Sequence, residues 1–233
     1  MKGMVCSGKG EGKKYIAMNE YKKQIEEKFR FTPYEGTLNV SLDEEICGDL
    51  KNIEGIKLQG FKKGDKYFGD VNCFPVSFNA KGSGFEGALL LPARSGYRNV
   101  AEIVSGERIR ERVRDGDEIF IFFEPFAKKG LSKKFFALSH EGRGEGDITV
   151  YYDSPFEEGR RDLCYEKKFG DCYLKRFVAR DVASIIFEGN GNFEYKKLLE
   201  WIKNNEYKII SPLRKIKYSR LNEWQIEIKI KKE

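Results

Sequence analysis

From residue 37 to 42 the chain reads TLNVSL, with Leu38, Val40 and Leu42 alternating with Thr37, Asn39 and Ser41, the period of a strand with one buried face. Comparable short runs, KYIAM, IKLQG, KYFGDVNCFPVSFN, GALLLP and EIFIFF, fall between turn signals over the first 124 residues and predict further strands. Helical periodicity is sparse there. One helix is predicted over 19–29, with Asn19 as N-cap and Tyr21, Ile25 and Phe29 four apart on one face. A second is predicted over 107–113, ERIRERV, ended by the turn signal Asp115-Gly116. The pattern is that of a mainly β domain, a small barrel with short helices. After the apolar run DEIFIFFE at 117–124 comes PFAKKGLSKK, which mixes Pro, Gly and Lys, so a domain boundary is placed near residue 125, giving domains 1–124 and 125–233. In the second, strands are predicted at ITVYYD, DLCYEKKF, CYLKRFVA, VASIIFEG and WQIEIKIK. Tyr195, Leu198, Leu199 and Ile202 mark a helix laid on a sheet, closed off by Asn204-Asn205 and Pro212. That is an α+β module.

Against this background the N-terminus stands out. Residues 3–9, GMVCSGK, have the glycine and lysine spacing of a P-loop, but Gly10 follows the lysine where Mg²⁺ binding needs Ser or Thr. Only two residues precede Gly3, and Gly10 and Gly12 would each weaken a helix by about 1 kcal/mol relative to alanine. The remaining expectation is a glycine-rich turn carrying Lys9, Lys13 and Lys14, whose backbone N–H groups can approach a phosphate closely. GKGEGK at 8–13 is echoed by GRGEGD at 142–147, but the second copy leads straight into a strand and is read as a connection.

Composition narrows the classes. No apolar run reaches the roughly 20 residues of a membrane span and no signal peptide is visible, so a soluble, cytoplasmic protein is expected. The five cysteines form no C-x-x-C pair, which indicates neither a zinc site nor a disulfide framework. Net charge is +6, yet residues 1–124 balance 20 basic against 20 acidic side chains, so the excess lies wholly in the second half. There lysines interleave with Glu and Asp, which argues against a nucleic-acid-binding stripe, although a basic face assembled in three dimensions stays open. His140 is the only histidine, so any chemistry in the first domain relies on positioning, a metal and a carboxylate, as phosphoryl transfer largely does.

Two motifs carry candidate chemistry. Thr37 and Asn39 share a strand face about 7 Å apart and could together contact one hard cation completed by a substrate's phosphates; equally, they could be a solvated face. Arg108, Arg110, Arg112 and Arg114 offer guanidinium forks suited to phosphate or carboxylate, or could simply pair with Glu107 and Glu111.

Taken together, SGKGEGKKYIAM, FRFTPYEGTLNVSL, FEGALLLPARS and VAEIVSGERIRERVRDGDEIFI resemble the archaeal CTP-dependent riboflavin kinases over nearly all of residues 1–124. The resemblance implies a six-stranded cradle-loop barrel in which riboflavin receives the γ-phosphate of CTP to give FMN and CDP. It implies further that Lys9, Gly10, Glu11, Gly12, Lys13 and Lys14 hold the CTP phosphates and that Thr37 and Asn39 ligate Mg²⁺. Arg108, Ile109, Arg110 and Glu111 stand where relatives read K-L-R-E and would contact the nucleotide. Ser95, where relatives have threonine and in a segment one residue shorter than theirs, would face the flavin together with Glu102, which is also the candidate base for the riboflavin 5′-hydroxyl.

The second half, with FVARDVASIIFEGNGNFEYKKLLEWIKNNEYKI and EWQIEIKI, resembles GyrI-like effector-binding modules, an antiparallel sheet with a helix. Trp224 and Glu227 match that family's W-x-x-E, which implies a glutamate facing a small-molecule pocket and able to meet a cationic ligand; a cross-strand partner for a lysine is the alternative. Between FFALSHEG and ITVYYDSP there is no room for the first helix of a complete module. Two rival functions follow: a non-catalytic flavin or nucleotide sensor, and a DNA-binding regulator, for which no helix-turn-helix pattern is present.

Overall fold

A computed structural model describes residues 1–92, 99–129, 134–142, 147–151, 159–165, 168, 170–177, 180–188, 191–217 and 223–232. They form two compact units, Met1–Glu124 and Pro125–Glu233. Among the described residues no helix is long and apolar enough to cross a membrane.

The first unit runs β1 (Lys2–Cys6), α1 (Glu11–Ile16), α2 (Asn19–Phe29), β2 (Leu38–Ser41), α3 (Glu44–Asn52), β3 (Ile56–Leu58), β4 (Phe61–Lys63), β5 (Lys66–Phe68), β6 (Val71–Ala80), β7 (Ser83–Pro92), β8 (Val100–Val104) and β9 (Glu118–Phe123). Strands pair antiparallel in the order β6-β7-β8-β2-β1-β9, and β9 returns to β6, closing a six-stranded barrel with no free edge around the ring. Strand β6 makes this possible by its length: Val71–Cys73 pair with β3, and Val76–Ala80 with β9. Period-two alternation sets the two faces. Leu38, Ile103, Leu89 and Phe74 lie opposite one another and fill the interior, all at 2% exposure or less. On the outer face a second row, Cys6, Asn39, Glu102, Leu90 and Cys73, crosses five strands. Helix α2 covers the apolar end of that row, burying Tyr21 and Ile25 against Leu58, Cys73 and Leu90. The polar end, Asn39 and Glu102, lies under the glycine run 8–12 instead.

Several local expectations are corrected. KYIAM is not a strand: Lys14, Tyr15 and Ile16 end α1, and GMVC, unassigned from the sequence, lies in β1. Helix α1 forms despite Gly12 because Gly10, at φ 73°, turns the chain into it and Ile16 is buried beneath α2, so tertiary packing outweighs propensity. Asn19 is the first residue of α2, and Met18 occupies the cap. The helix over 107–113 contracts to a single 3₁₀ turn, Ile109–Glu111, since Arg108 has ψ 88° and the Asp115-Gly116 turn follows at once. Helix α3 was not foreseen. KYFGDVNCFPVSFN divides into β5 and β6, and β4 with β5 forms a separate hairpin.

The second unit comprises β10 (Phe126–Lys129), β11 (Lys134–Gly142), β12 (Ile148–Tyr151), β13 (Gly159–Tyr165), β14 (Tyr173–Arg176), β15 (Asp181–Glu188), α4 (Asn192–Asn204), β16 (Tyr207–Ile209), β17 (Leu213–Lys217) and β18 (Glu223–Lys232). It is one antiparallel sheet ordered β10-β15-β18-β17-β12-β13-β11-β14, with β16 also on β18. Leu198 and Ile202 of α4 pack on Ile185, Phe187, Ile226 and Ile228 on one side of it. The GRGEGD echo falls largely on residues 143–146, outside the described residues.

Candidate active site

The site is assembled where the glycine run crosses the outer face of β2. A Cβ placed on Gly8 would run into the Asn39 side chain, and one on Gly12 would strike Thr37 Oγ1 and come within 3.1 Å of Glu102 Oε2. Only glycine lets the loop lie this close. Asn39 and Glu102 are directly opposite each other on β2 and β8, and Thr37 hydrogen-bonds the Glu102 carboxylate. A cleft of about 170 Å³ results, lined by Lys9, Glu11, Lys13, Thr37, Asn39 and Glu102, with Gly10, Gly12, Glu35 and Gly36 completing its wall. Burial pushes the Glu102 carboxyl above the ordinary carboxylate range and the Glu11 charge adds to this, while the hydrogen bond from Thr37 opposes it.

A larger, more apolar cavity of about 430 Å³ adjoins the first and shares Lys9, Glu11, Gly12 and Glu102 with it. Its walls include Tyr15 and Ile16 of α1, Tyr21 of α2, and Tyr67 and Phe68 of the β4–β5 hairpin. Phe68 stacks on Phe61 at 5.0 Å, Phe61 meets Tyr21 edge-on at 4.9 Å, and the Tyr21 hydroxyl donates to the Gly69 carbonyl at 2.5 Å. Gly60 N–H and Lys57 both hold Asp70, at 2.8 and 2.7 Å, which ties down the hairpin's base.

The other candidates sort unevenly. Arg110 donates to the Cys6 carbonyl at 2.6 Å and pairs with Asp115, which also accepts from Ser7, so it braces the end of β1 where the glycine run begins. Ile109 is buried at 5% exposure and serves packing. Arg108 and Glu111 pair with each other at 3.5 Å, exposed, and Arg112 pairs with Glu107 at 3.6 Å. Lys14 is exposed in the last turn of α1. Ser95 lies outside the described residues. Trp224 is described only through its backbone in β18, opposite Phe187 and Lys217. Glu227, 1% exposed, meets Arg214 Nη2 at 2.8 Å and Lys128 Nζ at 2.9 Å, so two cations already hold it. Sequence reasoning missed Tyr67 and Phe68, whose one signal was the aromatic pair set before Gly69-Asp70.

Comparison with known proteins gives the family. A family model named CTP-dep_RFKase, and described as a domain of unknown function, DUF120, matches residues 5–122, half of the chain. The chain belongs to the CTP-dependent riboflavin kinase family. Among similar proteins in that family, the riboflavin kinase of Methanosarcina acetivorans is 37% identical over 125 residues, covering 51% of this chain and 51% of the relative. That of Thermoplasma acidophilum is 38% identical over 124 residues (51% and 54%), and that of Methanococcoides burtonii 41% over 130 (52% and 56%). The chain thus matches these riboflavin kinases over about half their length. The solved C-terminal domain of EcmrR aligns with 47% of this chain and 98% of its own at 13% identity and a TM-score of 0.38, a likeness too slight to argue from.

Proposed function

We propose that residues 1–124 transfer the γ-phosphate of CTP to riboflavin, giving FMN and CDP with Mg²⁺ as cofactor. The observation that carries this reading is the convergence of Gly8 and Gly12 on Asn39 and Thr37 at the mouth of an aromatic cavity. Loop N–H groups with Lys9 and Lys13 suit the triphosphate, and the 430 Å³ cavity with Tyr15, Tyr67 and Phe68 suits a flat tricyclic ring. Glu102 lies on the wall common to both, where the ring's hydroxyl tail would meet the terminal phosphate.

The residues present fit a hard cation. Thr37 and Asn39 offer neutral oxygens at the cleft, whose wall brings Glu11, Glu35 and Glu102 against only Lys9 and Lys13. A triphosphate entering alone would face net negative charge, and with its cation it would not. When bound, Mg²⁺ neutralises phosphate charge. Glu102 accepts the proton of the riboflavin 5′-hydroxyl as its oxygen forms the new bond to the γ-phosphorus, and the bond from that phosphorus to the β–γ bridging oxygen breaks to release CDP. The raised Glu102 pKa matches a base working nearer neutrality. For residues 125–233 we read a small-molecule-binding module, supported by the W-x-x-E resemblance and by polar side chains buried in its sheet.

The deciding experiment incubates the protein with riboflavin, Mg²⁺ and each of the four nucleoside triphosphates in parallel. FMN formed with CTP in clear excess over the others supports the reading; tight flavin binding with no product under any donor replaces it with a sensor.

A further inference from the structure

On the side of the second sheet away from α4, one residue from each of six neighbouring strands falls in a line: Ser184, Glu227, Arg214, Val150, Asp162 and Ser139. Five of the six are polar, and Ser184, Glu227, Arg214 and Asp162 are at 3% exposure or less. Burying such a row costs stability that apolar residues would not. Both acids in it are already compensated. Glu227 has Arg214 and Lys128, the latter as an ion pair rather than an aligned hydrogen bond; Asp162 has Lys175, and Ser139 at 2.9 Å.

Two basic groups keep capacity beyond those pairs. Arg214, paired to Glu227 through Nη2, buries its Nη1 with no hydrogen-bond partner among the described residues, and its guanidinium lies over the Phe177 ring at 4.9 Å. Lys229 lies on the same face two residues beyond Glu227, and its ammonium loses basicity through burial and through the neighbouring charges of Arg214, Arg180 and Lys175. Around the carboxylates of Glu227 and Asp162 the cations in contact or electrostatic reach include Lys128, Lys175, Arg214 and Lys229. Beside this line runs an apolar one containing Ile216, Ile148 and Cys164, which packs with Phe177.

We infer that this face binds a small organic anion, a carboxylate or phosphate on a flat apolar body, with Arg214 Nη1 and Lys229 taking the charge and Ile216 and Phe177 the body. This rests on the reading of residues 125–233 as a ligand-binding module. It reverses the charge that Glu227 alone suggested, since a cationic ligand would have to displace Lys128 or Arg214.

The test is calorimetric titration of the full chain with 2-naphthoate, 2-naphthyl phosphate and, as a cation of similar size, ethidium. At least one naphthyl anion is expected to bind, weakened about tenfold by Lys229→Gln, a half-buried residue whose loss spares the core. Arg214→Gln should act likewise if it folds, and Lys9→Gln/Lys13→Gln should leave binding as in the wild type. Ethidium binding without either anion would overturn the assignment while leaving a ligand module standing; no binding of any probe would overturn both. Anion binding indifferent to Lys229→Gln, or lost in Lys9→Gln/Lys13→Gln, would also overturn it.

Discussion

Asn39 is half-exposed on a strand face and contributes little to the core, so Asn39→Ala should keep the fold and thermal midpoint while FMN formation falls by about a hundredfold or more, read by product assay beside circular dichroism. Retention of wild-type turnover would remove the cation assignment. Gly12→Ala should also lose activity, because its Cβ meets Thr37 and the loop must lift off. Glu102 binds its proton more tightly folded than unfolded. The stability it contributes is therefore present below its unfolded pKa and lost as pH rises through the folded one. Glu102→Gln should thus be no less stable than wild type at neutral pH, yet lose turnover and the acid limb of the kcat/KM profile. That limb in the wild type should lie above the usual glutamate range. The alternation of TLNVSL already put Thr37 and Asn39 on one face, but a carboxylate 63 positions beyond Asn39 could not be tied to it from spacing. Closing β2 against β8 did that.

The β4–β5 hairpin stands apart from the barrel and offers Tyr67, 58% exposed, to the larger cavity. Tyr67→Ala should raise KM for riboflavin several-fold with little change in KM for the nucleotide, since stacking on a flat ring is worth about 1 kcal/mol. Ile25→Ala in α2, by contrast, should cost about 2–5 kcal/mol of stability, measured by denaturant unfolding, because the residue is fully buried over Leu90 and Cys73. Elements with strong periodicity were legible: 19–29 is α2 and 192–204 contains the predicted stripe of Tyr195, Leu198, Leu199 and Ile202. Short elements whose stability comes from neighbours were not. Helix α1 has glycine in its first turn and survives through Ile16, whereas ERIRERV has helical spacing but is anchored at Ile109 and Val113 and through Arg110 to Cys6, so only one turn forms.

In the whole molecule, residues 1–124 balance their charge overall yet set Glu11, Glu35 and Glu102 beside Lys9 and Lys13 at one cleft, and part of the basic excess of residues 125–233 lies inside a sheet. Lys128→Met should cost about 3–5 kcal/mol by leaving Glu227 short of a cation, whereas replacing Lys128, Arg214 and Glu227 together with apolar residues should be near neutral; chemical denaturation distinguishes the two. The sequence by itself determined which segments alternate, where composition changes near residue 125, and which unusual motifs occur together, because strand period, turn chemistry and motif order are local properties. Only the tertiary structure decided which motifs meet. Barrel closure brings residues 8–12, 37–39 and 102 to one wall, and lateral register turns isolated Glu227, Arg214 and Asp162 into a single buried line, since contact between distant strands depends on pairing that no local pattern encodes.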